Sequence, residues 1–157
     1  MNIIALVVAV LWVDLIVITI SLYGVFGKTI REWYAKFGPV AVLSDCLIII
    51  LGIMLASLIY PTASTLELIL LAVIIQLVHD LLFYILVIQK MPEGQNGIID
   101  LFKKYADEGG YRILIADASM VTASILGQYY LETHSTEVTS FLGFLATYAL
   151  SYIIYTK

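Results

Sequence analysis

Charge is scarce in this chain. Asp, Glu, Lys and Arg make up 13% of its 157 residues, against about a quarter in a soluble domain. With 62% hydrophobic residues and a mean hydropathy of +1.01, too little polar surface remains to cover a core of that size, and a soluble globular domain is excluded. Cysteine is nearly absent: the single Cys46 rules out an internal disulfide and says nothing about redox compartment. It reads as a small core residue rather than a ligand. The eight basic residues form no patch, so no nucleic-acid partner is expected. HExxH, GxSxG and Walker sequences are missing. So are a lysine inside an apolar run for a retinal Schiff base, a TVGYG-type filter and an arginine ladder. No internal repeat is visible.

What remains is a set of long apolar runs. They predict an all-α, polytopic transmembrane bundle of five spans, at about residues 2–26, 39–60, 65–89, 111–131 and 136–156, forming one domain over 1–157. The first run has no basic n-region or cleavage motif and reads as a retained helix. Pro39 suits the first turn of the second span, and Pro61 stops it. Asp45, Gly52 and Ala56 share a face there, narrow enough for close helix approach. Ser64 and Glu67 form a capping box ahead of the third span. Gly143, Thr147, Ser151 and Tyr155 make a small-and-hydroxyl seam on the fifth, suited to another span or another copy of the chain.

Two linkers are amphipathic. Residues 28–37 place Ile30, Trp33, Tyr34 and Phe37 where they can face lipid. Residues 97–108, capped by Asn96, gather Ile98, Phe102 and Tyr105 on one face. That helix would lie on the membrane or fold over the mouth of the bundle, the former being the commoner arrangement. Lys28, Arg31, Lys36, Lys90, Lys103, Lys104, Arg112 and Lys157 all fall in the first linker, the third linker or the C-terminus. The positive-inside rule then places the N-terminus outside and the C-terminus inside.

Against this apolar background stand Asp14, Asp45, Asp80 and Asp117, each in its own run, with His79 beside Asp80. A mid-span carboxylate costs about 2.5–3.5 kcal/mol on insertion scales. At 1.5 Å per residue, Asp45 and Asp117 would lie roughly 9 Å below the inner surface, Asp80 roughly 13 Å and Asp14 roughly 18 Å. Three acids would thus share one layer. Gln76, Asp80 and Tyr84 recur at helical spacing, as Asp117, Ser124 and Gln128 share a face.

The leading reading is a metal or proton site of Asp14, Asp45, His79, Asp80 and Asp117, supported by Gln76, Tyr84, Ser124 and Gln128. Hard cations, divalent or monovalent, take carboxylate oxygens, and Asp80 with His79 can relay protons. The cation's identity is open. One rival is a metal-dependent membrane enzyme acting on a lipid-like substrate, with no catalytic signature behind it. The other is a structural or assembly protein of the membrane, oligomerising through the fifth-span seam and its aromatic surface, whose acids only pin helix register. Beyond the lipid bilayer, a second copy of the chain is the expected partner.

The stretches His79-Asp80-Leu81-Leu82-Phe83-Tyr84, Pro92-Glu93-Gly94-Gln95-Asn96, Ile99 through Gly109 and Ala116-Asp117-Ala118-Ser119-Met120 resemble uncharacterised multi-pass membrane proteins of giant DNA viruses. The likeness covers about a quarter of the chain. It implies a virion or infected-cell membrane and brings no activity and no site residue.

Overall fold

The computed structural model describes residues 1–156. Lys157, one of the eight basic residues behind the topology argument, lies outside them. Among the described residues there are seven α-helices and no strand: α1 (Ile3–Leu22), α2 (Lys28–Phe37), α3 (Pro39–Ile59), α4 (Thr65–Phe83), α5 (Gly97–Gly109), α6 (Tyr111–Leu131) and α7 (Thr136–Ile153). A π-helical turn, Tyr84–Ile88, continues α4. Three helices are long and apolar enough to cross a membrane: α1, α3, and α4 with its extension to Ile88. The other two expected spans fold as α6 and α7, which are less apolar.

The helix ends follow local chemistry. Asn2, Ser64, Asn96 and Ser135 each cap a helix with a side-chain oxygen, and Ser64 with Glu67 completes the capping box. α1 stops at Leu22, short of the expected 26, because the chain turns through Gly24 and Gly27 at φ +78 and +94, a region that favours glycine.

α1, α3, α4 and α6 form a ring, each packed on its two neighbours, and α7 packs outside against α1. One end of the ring is dry. Leu6, Val10, Ile53, Val121 and Ile125 are fully buried there or along the axis. Small residues let the backbones close up: a Cβ on Gly127 would meet Ala9 Cβ at 3.2 Å, and one on Gly143 would meet Val8 Cγ2 at 2.8 Å. The Asn2 backbone N–H donates to Glu132 at 2.7 Å across this end.

α2 and α5 cover the opposite end. They touch each other; α2 rests on α1 and α3, and α5 on the π-turn and α6. The sequence reading turned the aromatic face of α2 toward lipid. The structure corrects this: Ile30, Trp33 and Tyr34 point into the bundle and are buried, because that face finds protein to pack on. α5 takes the second of its two expected places, over the mouth, burying Ile99 and Leu101. Glu108, at the end of α5, accepts the Lys28 and Thr29 backbone N–H groups at 2.8 Å each. It thereby caps α2, whose own N-cap residue, Gly27, offers no side chain. Hydrogen bonds from Thr29 and from the Lys28 and Thr29 backbone hold the Glu108 carboxyl below the usual glutamate range.

Candidate functional site

Beneath the two-helix lid the ring does not close. It encloses a cavity of about 1170 Å³, mostly apolar, bounded by α1 to α6 and the π-turn. Asp45 on α3, His79 and Asp80 on α4, and Asp117 on α6 all line it, with Gln76 and Tyr84. Asp14 does not line it. Asp14 sits behind the wall, 0% exposed, within 3.4 Å of the Tyr34 hydroxyl and 3.8 Å of Cys46 Sγ, a buried residue that donates weakly to it. Ser124 and Gln128 are also buried away from the cavity. Gln128 donates to Glu132 at 3.0 Å, and Ser124 Oγ and Gln128 Oε1 are without partners.

Each cavity acid has its own surroundings. Asp45 accepts from the Trp33 indole N–H at 3.1 Å and the Tyr34 hydroxyl at 2.9 Å, both from the lid. Asp80 Oδ1 accepts from Gln76 at 2.8 Å and lies 3.1 Å from His79 Nδ1. Asp80 Oδ2 is enclosed and has no partner. Asp117 lines the cavity from α6, next to α4 in the ring. His79 with Asp80 is the one ion pair among the described residues, so Arg112, which also lines the cavity, neutralises none of the acids at contact distance. Among the described residues no three His, Cys, Asp or Glu side chains gather closely enough to hold a metal ion.

The lid supplies residues whose apolar faces suit lipid in the sequence. Tyr34 stands between Asp14 and Asp45. Burial, then the fields of Asp45 and Asp14, push its hydroxyl well above the usual tyrosine range, so it stays a donor. Burial and the nearby Asp117, Asp45 and Glu108 act on the Tyr105 hydroxyl in the same direction. Aromatic rings tie lid to wall: His79 stacks on Phe83 at 5.8 Å, Phe83 meets Phe102 edge-on, and Phe102 lies 4.8 Å from Trp33. The one signal for this was polar N–H and O–H groups on an otherwise apolar face of α2. The π-turn beginning at Tyr84, a feature frequent at functional sites, had no sequence signal.

No protein family, curated protein or solved structure matches the chain. The viral resemblance therefore stands on its quoted residues alone.

Proposed function

We propose that the chain is an integral membrane protein of five spans, N-terminus outside and C-terminus inside, whose intramembrane acids bind a cation or pass protons. The observation that carries this reading is the convergence of Asp45, Asp80, Asp117 and His79, from three helices, on one cavity in an apolar bundle. Acids that only pinned helix register would be expected against neighbouring helices, each with its own hydrogen-bond partner. Asp80 does not fit that account, since both of its partners, Gln76 and His79, lie on its own helix. The exposed aromatics of α7, among them Phe141, Phe144 and Tyr148, suit a bilayer-facing surface.

Tyr34 supports a proton role. A phenol has one proton to donate. Asp45, at 2.9 Å, takes it, and Asp14, at 3.4 Å, then needs a proton of its own to share the same oxygen. Asp14, Tyr34 and Asp45 thus form a short path from a closed interior to the cavity. The dry packing at the far end favours alternating access over an open pore.

The test is flux. In vesicles containing the purified protein, an imposed cation or proton gradient collapses faster than in empty vesicles, and Asp80→Asn removes the difference. Protein-containing vesicles that hold their gradients as well as empty ones, with an active control transporter, overturn the reading.

A further inference from the structure

We infer that the cavity takes an amphipathic organic cation, a permanently charged or protonated amine with a bulky apolar body, reaching it from the side of the helix bundle. This rests on the cation-site reading above and names the class of cation. Three features of the cavity support it independently.

The first is size. About 1170 Å³ is far more than a bare ion fills, a water taking about 30 Å³, and it matches or exceeds the roughly 300–1,000 Å³ of pockets for drug-sized ligands. The second is the lining. Aliphatic side chains and the aromatic wall of Trp33, Phe83, Phe102 and Tyr105 make up most of it, while Asp45, Asp80 and Asp117 face a single guanidinium, Arg112, with which none is paired. Such a surface rejects an anion, leaves a neutral lipid facing unpaired carboxylates, and suits a cation whose body desolvates against rings. Asp80 Oδ2 is enclosed and has no partner, so its charge acts on a bound cation through space rather than by contact. The third is the portal. Some lining residues are themselves largely exposed on the flank: Ile16 at 53%, Leu81 at 58%, Ile115 at 60% and Tyr111 at 71%. The cavity therefore opens between helices through an apolar margin. In a bilayer that margin meets acyl chains, where an amphipathic cation concentrates and an inorganic one does not.

Tetraphenylphosphonium is the probe, with triphenylphosphine oxide as its uncharged counterpart and sodium, potassium and magnesium as inorganic cations. Binding is measured by equilibrium dialysis on full-length protein in lipid nanodiscs. Saturable tetraphenylphosphonium binding that the phosphine oxide does not displace is expected. It should weaken at least tenfold in Asp80→Asn and in Asp117→Asn. Ile115→Trp, at the exposed margin, should slow tetraphenylphosphonium uptake in a stopped-flow measurement by narrowing the portal, and unfolding midpoints close to the parent's establish that the Asn variants are folded. Displacement by the phosphine oxide, or unchanged binding in both Asn variants, overturns the inference. An inorganic cation that stabilises the protein while tetraphenylphosphonium fails to bind overturns it too, and leaves the cation-site reading standing. Silence from every cation and from pH, with Asn variants identical to the parent, removes both.

Discussion

The two ends of this bundle are built to opposite rules. At the N-terminal end of α1, Ala5, Leu6 and Val10 are 0% exposed, and glycines on α6 and α7 let backbones meet almost without side chains between them. At the other end the same helix lines a cavity through Val13, Ile16 and Val17, and the space beside it holds acids under a lid. Close packing stabilises and rigidifies. Voids destabilise. A single short chain that has both concentrates its stability at one end, and so can maintain at the other a site that would not be stable alone.

The contrast is open to direct attack, most forcefully in the dry seam. Ile125→Ala removes a fully buried side chain and should lower stability by about 2–5 kcal/mol. Ile48→Ala, at the cavity wall, enlarges a space that already exists and should cost about half as much or less. Unfolding of the two variants in the same detergent checks the difference. Equal losses would mean that the two ends are packed alike, and would sink the comparison.

Next in size is Tyr34→Phe, which keeps the ring and removes the hydroxyl between Asp14 and Asp45. Asp45 then keeps only the Trp33 indole and Asp14 only the Cys46 thiol as donors, and loss of the phenol from both should cost about 1–3 kcal/mol. Adding Asp45→Asn should recover part of it, since the under-satisfied carboxylate goes too. A double variant as unstable as the sum of the single changes would show that Tyr34 serves packing alone. Asp80→Asn comes lower. It keeps the oxygen that accepts from Gln76 and replaces the unpartnered one with an NH2 group, removing the charge, so its stability should stay within about 1 kcal/mol of the parent. The thermal stabilisation given by a bound cation, which grows with concentration, should vanish in it. Survival of that stabilisation would place the cation elsewhere.

The sequence disclosed the ends of these helices better than their company. Caps are local chemistry, so Ser64 with Glu67 and Asn96 could be read directly, and the expected fourth span has the bounds of α6. The acids were legible because a carboxylate stands out in an apolar run. Their surroundings were not. An amphipathic helix shows which face is apolar but not what that face meets. Lipid and protein interior select the same residues, so Trp33 and Tyr34 looked like interface anchors. Sharing a face also differs from sharing a layer: Ser124 lies seven residues beyond Asp117, roughly 10 Å along the axis, which carries it past the cavity into the dry half. The π-turn at Tyr84 packs against α5, and no local signal foretells it.

The smallest predicted effect concerns the latch between the two lid helices. Glu108 is on the surface, and its worth lies in geometry: both carboxylate oxygens meet backbone donors at the start of α2. Its carboxyl is held below the usual glutamate range, chiefly by hydrogen bonding with Thr29 and Lys28, so the folded state binds its proton less readily than the unfolded chain does. The stability it contributes is therefore full above the ordinary glutamate value and is lost as pH falls through the depressed one. Glu108→Gln keeps the shape and loses the charge. It should lower the unfolding midpoint slightly at neutral pH and converge with the parent in acid. Hydrogen exchange at the Lys28 and Thr29 amides should rise in the variant, while amides in the dry half of α1 stay as protected as before. Faster exchange throughout α1 would mean that the lid and the seam unfold as one unit, so that the division between the two ends is structural but not energetic.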